Sequence, residues 1–170
     1  MRTAKNKSDG VNALAYIGLG SNLHDPPRQV RAAAQSIAAL PQSQLIACSS
    51  LYRSAPIGEA GQPDYVNAAC VLSTSLSPAA LMDALLAIER AAGRVRDGHK
   101  WGPRVLDLDL LHIEGVVLET PALTMPHPEI ARRNFVLTPL AEIAHALDIP
   151  GLGAIAALAR SAGRAGLELL

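Results

Sequence analysis

The run Val105-Leu106-Asp107-Leu108-Asp109-Leu110 alternates apolar and acidic residues with a period of two. Side chains point to opposite faces along a strand. The run can therefore place Leu106, Leu108 and Leu110 in a core only by turning Asp107 and Asp109 together to the other side. A helix would scatter the same residues around its circumference. The pattern predicts a strand over 105–113 with one face in a core and two carboxylates on the other.

The segments before it form an ordered series. Residues 14–19 read as a first strand, ending in the turn cluster Gly20-Ser21-Asn22. Asp25 suits the cap of a following helix and Pro26 its first turn. Val30, Ala33, Ala34 and Ile37 keep the helical period, and Pro41 closes it. Residues 44–52 predict a second strand, 53–64 a loop, and 65–74 a third strand antiparallel to the second. Ser77-Pro78 opens a second helix with Leu81, Leu85 and Ile88 on one side and Gly93 at its C-terminal end. Residues 94–104 form a polar loop leading into the fourth strand. The order β-α-β-β-α-β is the ferredoxin-like pattern of an α+β open-faced sandwich. Two helices should cover one sheet face and leave the other free for chemistry. Residues 114–170 add short strands, a turn at Met125-Pro126-His127-Pro128 and additional C-terminal helices.

A chain of 170 residues fits one domain. Residues 1–12 are polar and lack an apolar h-region, so they read as a disordered N-terminal tail rather than a secretory signal. That leaves 13–170 as a single domain. Fifteen basic residues balance fifteen acidic ones, which argues against a general nucleic-acid binder. No stretch reaches roughly 18 uninterrupted apolar residues, so no membrane span is expected and the cytoplasm is the expected address. Cys48 and Cys70 are too few for a disulfide framework and lack zinc-ligand spacing; both read as small buried strand residues.

Asp107 and Asp109 would stand about 6–7 Å apart at the backbone and repel each other unless a cation lay between them. Magnesium favours such carboxylates together with substrate phosphates. A solvated strand face is the bland alternative. The preceding loop carries Arg94, Arg96, Lys100 and Arg104, opposed only by Asp97. Such a loop beside paired carboxylates is what a metal–nucleotide site needs, with cations on both sides of a polyphosphate. Glu89 sits on or beside the buried stripe of the second helix, where a carboxylate wants a partner such as an arginine or a ribose hydroxyl; taken alone, a boundary glutamate that snorkels to water is the favoured reading. Tyr65 and Asn67 share a strand face and suit a planar, hydrogen-bonding heterocycle. Trp101 falls in a polar loop, where a purely structural tryptophan is unexpected, whereas core packing is the favoured reading of Phe135. Gly18-Leu19-Gly20 follows a strand, but Leu23 stands where a dinucleotide fingerprint needs glycine, and no P-loop motif occurs.

In this order the residues resemble the 6-hydroxymethyl-7,8-dihydropterin pyrophosphokinase family. The likeness lies in Tyr16-Ile17-Gly18-Leu19-Gly20-Ser21-Asn22-Leu23, in Ser50-Leu51-Tyr52-Arg53-Ser54-Ala55-Pro56 and in Gln62-Pro63-Asp64-Tyr65-Val66-Asn67-Ala68-Ala69. It continues through Ile88-Glu89, Gly93-Arg94 and the run from Trp101 to Leu111. It ends with Pro126-His127-Pro128 and Arg132-Arg133-Asn134-Phe135. Lys100, Ala55, Pro128 and Ala122 depart from residues familiar in the family.

The resemblance implies a ferredoxin-like fold that transfers pyrophosphate from ATP to the pterin hydroxymethyl group and releases AMP. It implies two Mg²⁺ ions on Asp107 and Asp109, with ATP as co-substrate. Catalytic roles would fall to Arg94, Arg104, Asp107 and Asp109. Glu89, Arg96, Arg104, Leu110, Thr124, His127 and Arg133 would border ATP. Ser54, Ile57, Tyr65, Asn67, Trp101 and Phe135 would hold 6-hydroxymethyl-7,8-dihydropterin, Tyr65 and Phe135 sandwiching its ring. A monomer with no nucleic-acid or membrane partner is expected. The residues alone also admit a ferredoxin-like binding module without turnover, or an ordinary kinase that would make ADP.

Overall fold

The structure, a computed structural model, describes residues 12–57, 61–95 and 102–170. Strand β1 (Ala13–Ser21) leads into helix α1 (Pro26–Ala38), strands β2 (Ser43–Cys48), β3 (Tyr52–Ser54) and β4 (Tyr65–Thr74), helix α2 (Pro78–Ala91) and strand β5 (Asp107–Ile113). Both helices begin where capping chemistry places them. The Asp25 carboxylate accepts from the Arg28 N–H at 3.3 Å, and the Ser77 hydroxyl from the Ala80 N–H at 3.2 Å.

The remainder of the chain forms the hairpin β6 (Leu118–Glu119) and β7 (Thr124–Met125), then helix α3 (Asn134–Ile143). A second hairpin, β8 (Asp148–Ile149) and β9 (Gly153–Ala154), precedes helix α4 (Ile155–Ala162) and strand β10 (Leu167–Leu169). The main sheet runs β10-β3-β4-β1-β5, with β2 also pairing β4, and all its pairings are antiparallel. The ferredoxin-like α+β expectation therefore holds.

Helices α1 and α2 cover one face. Ile17, Leu19, Ile37, Leu72, Leu81, Leu85, Leu106, Leu108 and Leu110 are buried there. Full burial of each of the three alternating leucines contributes about 1.5–3 kcal/mol. A one-residue slip would instead drive Asp107 and Asp109 into this core, so the register is strongly specified.

The other face departs from expectation. It is not free: α3 and α4 cover part of it, packing Leu137, Leu140 and Ile155 in one cluster with Tyr16, Ala69, Val71 and Leu111. Among the described residues, the end near Asp107 and Asp109 stays open as a cleft. The predicted second strand over 44–52 is also two strands, broken at 49–51. There the Ser49 hydroxyl accepts from the Ala69 N–H at 2.9 Å, and Glu142 of α3 accepts from the Ser50 N–H at 2.9 Å, so local side chains replace ladder bonds. β1 runs on through the predicted turn to Ser21, because Gly20 and Ser21 still pair with Asn67 and Val66. β5 starts at Asp107, two residues later than expected. β10 returns from the C-terminus to pair with β3, an edge the local pattern did not disclose. Residues 1–11, nearly all of the expected tail, lie outside the described residues.

Candidate active site

Three strands present their outward residues at the open end of the sheet. Gly20 of β1 lies between Asn67 of β4 and Asp107 of β5, and Gly18 lies between Ala69 and Asp109. A Cβ on Gly20 would stand 3.4 Å from Asn67 Oδ1, and one on Gly18 would stand 3.6 Å from Leu111 and 3.8 Å from the Asp109 Cβ. The two glycines thus leave the floor between flanking strands unfilled. The cleft above it is lined by both aspartates, Arg104 and Arg133 on one side and by Ser54, Ile57, Tyr65, Asn67 and Phe135 on the other.

The charged wall is a network rather than a row of free groups. Arg94 donates to Glu89 at 2.6 Å, to the Leu106 carbonyl at 3.3 Å and to Asp107. Arg104 donates to the second Asp107 oxygen at 2.7 Å. Glu89, only 1% exposed, also accepts the Leu108 N–H at 2.8 Å, tying α2 to the start of β5. Burial works against the Arg94 cation but is outweighed by Asp107 and Glu89, so its proton is held more tightly than usual.

Asp109 differs from its neighbour. Among the described residues it pairs with Arg133, at 3.7 Å. A third of its side chain is still exposed, yet the surrounding protein desolvates it and the Asp107 charge repels its own. These push its pKa up to about 6 despite Arg133. A carboxylate so destabilised would be relieved by a cation on its open side. Among the described residues no three His, Cys, Asp or Glu side chains gather to hold a metal alone. The pair therefore fits a hard divalent cation that takes its other ligands from solvent or from a bound phosphate.

The opposite wall is neutral. Asn67 donates to the Ser54 hydroxyl at 2.8 Å, with both side chains buried. The Tyr65 hydroxyl donates to the Gly102 carbonyl at 3.3 Å, and burial raises its pKa. Phe135 enters from the first turn of α3. That wall is braced from behind by Glu142, which accepts from the Ser50 hydroxyl at 2.8 Å and the Tyr52 hydroxyl at 2.6 Å.

Asn22, 1% exposed, joins the two walls at the end of the cleft. Its amide donates to the Gln62 side chain at 3.3 Å and the Pro63 carbonyl at 3.2 Å, while its oxygen accepts the Arg104 N–H at 2.7 Å. Its own N–H donates to the Arg104 carbonyl at 3.0 Å. One side chain thereby couples the segments after β1, before β4 and before β5.

Of the residues expected from sequence, Arg104, Asp107, Asp109, Arg133, Ser54, Ile57, Tyr65, Asn67 and Phe135 meet in the cleft. Arg94 and Glu89 stand behind it and reach it through Asp107. Leu110 is placed elsewhere: its side chain is 2% exposed in the core under α1 and α2, on the face opposite the aspartates. Thr124 is exposed on β7 and does not line the cleft. His127 does not line it either. Its N–H donates to the Leu111 carbonyl at 2.8 Å, and burial together with the Arg133 charge lowers its pKa. Arg96 and Trp101 lie outside the described residues. Sequence reading gives Gly18, Gly20 and Asn22 no site role, taking them as a rejected dinucleotide fingerprint, a turn cluster and part of the family-like run 16–23. The glycines carry a signal, being two apart on a strand and so on one face; Asn22 carries its place in a turn and in the family-like run, and neither discloses its bonds to Arg104.

A family model described as 7,8-dihydro-6-hydroxymethylpterin-pyrophosphokinase (HPPK) matches residues 16–145. The chain is 48% identical over 135 residues to the 2-amino-4-hydroxy-6-hydroxymethyldihydropteridine pyrophosphokinase of Pseudomonas aeruginosa, covering 79% of this chain and 83% of the relative. It is 46% identical over 136 residues to the protein of the same name from Haemophilus influenzae, covering 80% and 84%. Among solved structures, a Plasmodium falciparum HPPK-DHPS triple mutant with pteroate superposes with a TM-score of 0.70 at 12% identity. That match takes in 93% of this chain but 46% of the other. A second Plasmodium falciparum HPPK-DHPS structure, with pterin, gives 0.68 at 13% identity. The chain spans less than half the length of those two solved chains, and the likeness to them is one of fold.

Proposed function

The chain belongs to the 7,8-dihydro-6-hydroxymethylpterin-pyrophosphokinase family, and we propose that the cleft at the open end of its sheet is where it carries out that family's reaction. The protein is a pyrophosphokinase: it transfers pyrophosphate from ATP to the hydroxymethyl group of 6-hydroxymethyl-7,8-dihydropterin, giving AMP and the pterin pyrophosphate, in folate biosynthesis. The observation that carries the site assignment is that one cleft has a wall of two aspartates and two arginines facing a wall of Tyr65, Asn67, Ser54 and Phe135.

The neutral wall would receive the pterin. Tyr65 and Phe135 offer ring faces, and the paired Ser54 and Asn67 offer fixed hydrogen-bonding atoms to the heterocycle's edge. The charged wall would receive the triphosphate. Arg104 and Arg133 face it directly, and Arg94 keeps Asp107 oriented from behind. Phosphoryl-type transfer depends mainly on positioning and charge stabilisation, so no strong general base is required of the chain. A divalent metal is expected of an ATP-dependent kinase family, and Asp107 and Asp109 would hold it, read here as two Mg²⁺ ions. Such ions neutralise polyphosphate charge and polarise the oxygens of the reacting groups. Asn22 would make the approach of one substrate felt on the other wall.

Residues 13–170 are read as one domain, since β10 returns to the sheet that β1 begins. Among the described residues no helix is long and apolar enough to cross a membrane, and a cytoplasmic monomer is the proposed setting. The site assignment is tested by incubating the protein with ATP, Mg²⁺ and reduced hydroxymethylpterin and identifying the nucleotide product. AMP should form with the wild type and fall to background with Asp109→Asn. Full turnover in that variant would reject the assignment.

A further inference from the structure

Cys48 and Cys70 take no part in the cleft. They are register partners across β2 and β4. The adjoining Ser49 N–H donates to the Ala69 carbonyl at 2.9 Å, the bond that flanks 48/70 on one side and marks it as a narrow pair. In a narrow antiparallel pair the Cα atoms stand about 4.5 Å apart and the side chains approach most closely. That lies within the roughly 4.4–6.8 Å span that a disulfide bridges. Register partners in such a pair carry their side chains on the same face, so the two thiols stand beside one another.

Their surroundings differ. Cys70 is fully buried among the core residues under α1 and α2, whereas Cys48 is exposed. The sequence reading that both are buried is thus corrected for Cys48, which ends a strand at the sheet margin. The Cys70 thiol beside it pulls the Cys48 pKa down, and Cys70 itself is pushed up by Cys48 and by burial. One member is therefore reachable and more readily ionised, and the other is shielded within bonding range of it. Thiolate character and access are what make a cysteine attack a disulfide.

We propose that Cys48 and Cys70 form a dithiol modification site that small disulfides, such as oxidised glutathione, convert to an intramolecular cross-strand disulfide. Cys48, its proton lost to solvent, attacks one sulfur of oxidised glutathione. The S–S bond breaks, and one glutathione leaves and takes up a proton. Cys70 gives its proton to solvent and attacks the Cys48 sulfur, and the second glutathione leaves and is protonated in turn. The protein loses two electrons and two protons, and one oxidised glutathione becomes two thiols. The ring so closed contains β3 and the start of β4, with Ser54, Ile57, Tyr65 and Asn67. Oxidation therefore ties together the two ends of the segment that builds the neutral wall.

The test treats the reduced full-length protein with oxidised glutathione and follows intact mass and non-reducing peptide maps. The expected result is a loss of two hydrogens and one Cys48–Cys70 cross-linked peptide. Both thiols should resist iodoacetamide until dithiothreitol is added. Cys70→Ser should stop at a glutathione adduct on Cys48. Cys48→Ser, at an exposed position, should give neither adduct nor cross-link. A wild-type protein that stays unmodified, stops at the adduct, or links into disulfide dimers overturns the proposal. So does a Cys70 that glutathione modifies in Cys48→Ser.

Discussion

Glu89 and Glu142 stand behind opposite walls of the cleft, and each holds its wall by accepting several hydrogen bonds. Glu89 takes the Arg94 guanidinium and the Leu108 N–H with 1% of its surface exposed. Glu142 takes the Ser50 N–H and hydroxyl and the Tyr52 hydroxyl from an exposed position on α3. The first is a buried charge that is tolerable only because a cation and an amide N–H satisfy it. The second competes with water at its Ser50 bonds, while its Tyr52 bond is partly buried. A wall that concentrates charge needs a rigid, desolvated brace. A wall that offers a ring face and two neutral groups can be held loosely, and a mobile hold suits a surface that must admit a flat ligand.

The comparison is broken most directly at the charged wall itself. Asp109→Asn should lower turnover by about 10²–10³-fold, the scale of removing one group that stabilises reacting charge, while circular dichroism and melting stay near wild type. Unaltered kcat would remove the charged wall from the chemistry. Next comes its brace. Glu89→Ala should cost about 3 kcal/mol in urea unfolding, because Arg94 loses a partner that is 2% exposed and the Leu108 N–H is orphaned. A cost near zero would mean that the buried brace carries no more than an exposed one.

The neutral wall should respond differently. Asn67→Ala removes the 2.8 Å bond to Ser54 and should raise the pterin KM by about tenfold, the equivalent of about 1.4 kcal/mol, with kcat kept within about twofold. A fall in kcat with KM unchanged would place Asn67 among the charge-handling groups instead.

The smallest effect is expected at the second brace. Glu142→Gln should change stability by less than about 1 kcal/mol at neutral pH, as exposed interactions do. Its pH dependence has a definite sign. Burial alone would raise the Glu142 pKa, but the bonds from Tyr52 and Ser50 outweigh it and hold it below the ordinary value of 4.5. The contribution is thus fully present above the unfolded value and is lost as pH falls through the folded one. Wild type and variant should differ by a constant amount above about pH 5 and converge in acid, as read by thermal melts across that range. A gap that widens in acid would reverse the assigned sign.

Much of this protein is written in short-range pattern. Period-two alternation put Asp107 and Asp109 on one face and the intervening leucines in the core. Asp25 and Ser77 fixed the helix starts through atoms three residues away. Tyr65 and Asn67 shared a face for the same reason as the aspartates. These are local consequences of backbone geometry, and a sequence states them without its partners. Which face α3 would cover, where β10 would pair and why the second strand breaks at Ser49 depended on contacts between distant segments. The Glu142 bonds to Ser50 and Tyr52 and the Asn22 bonds to Arg104 join residues some eighty to ninety positions apart. Contacts of that range leave no periodic trace in either partner, because each forms only after the sheet has brought the two segments together.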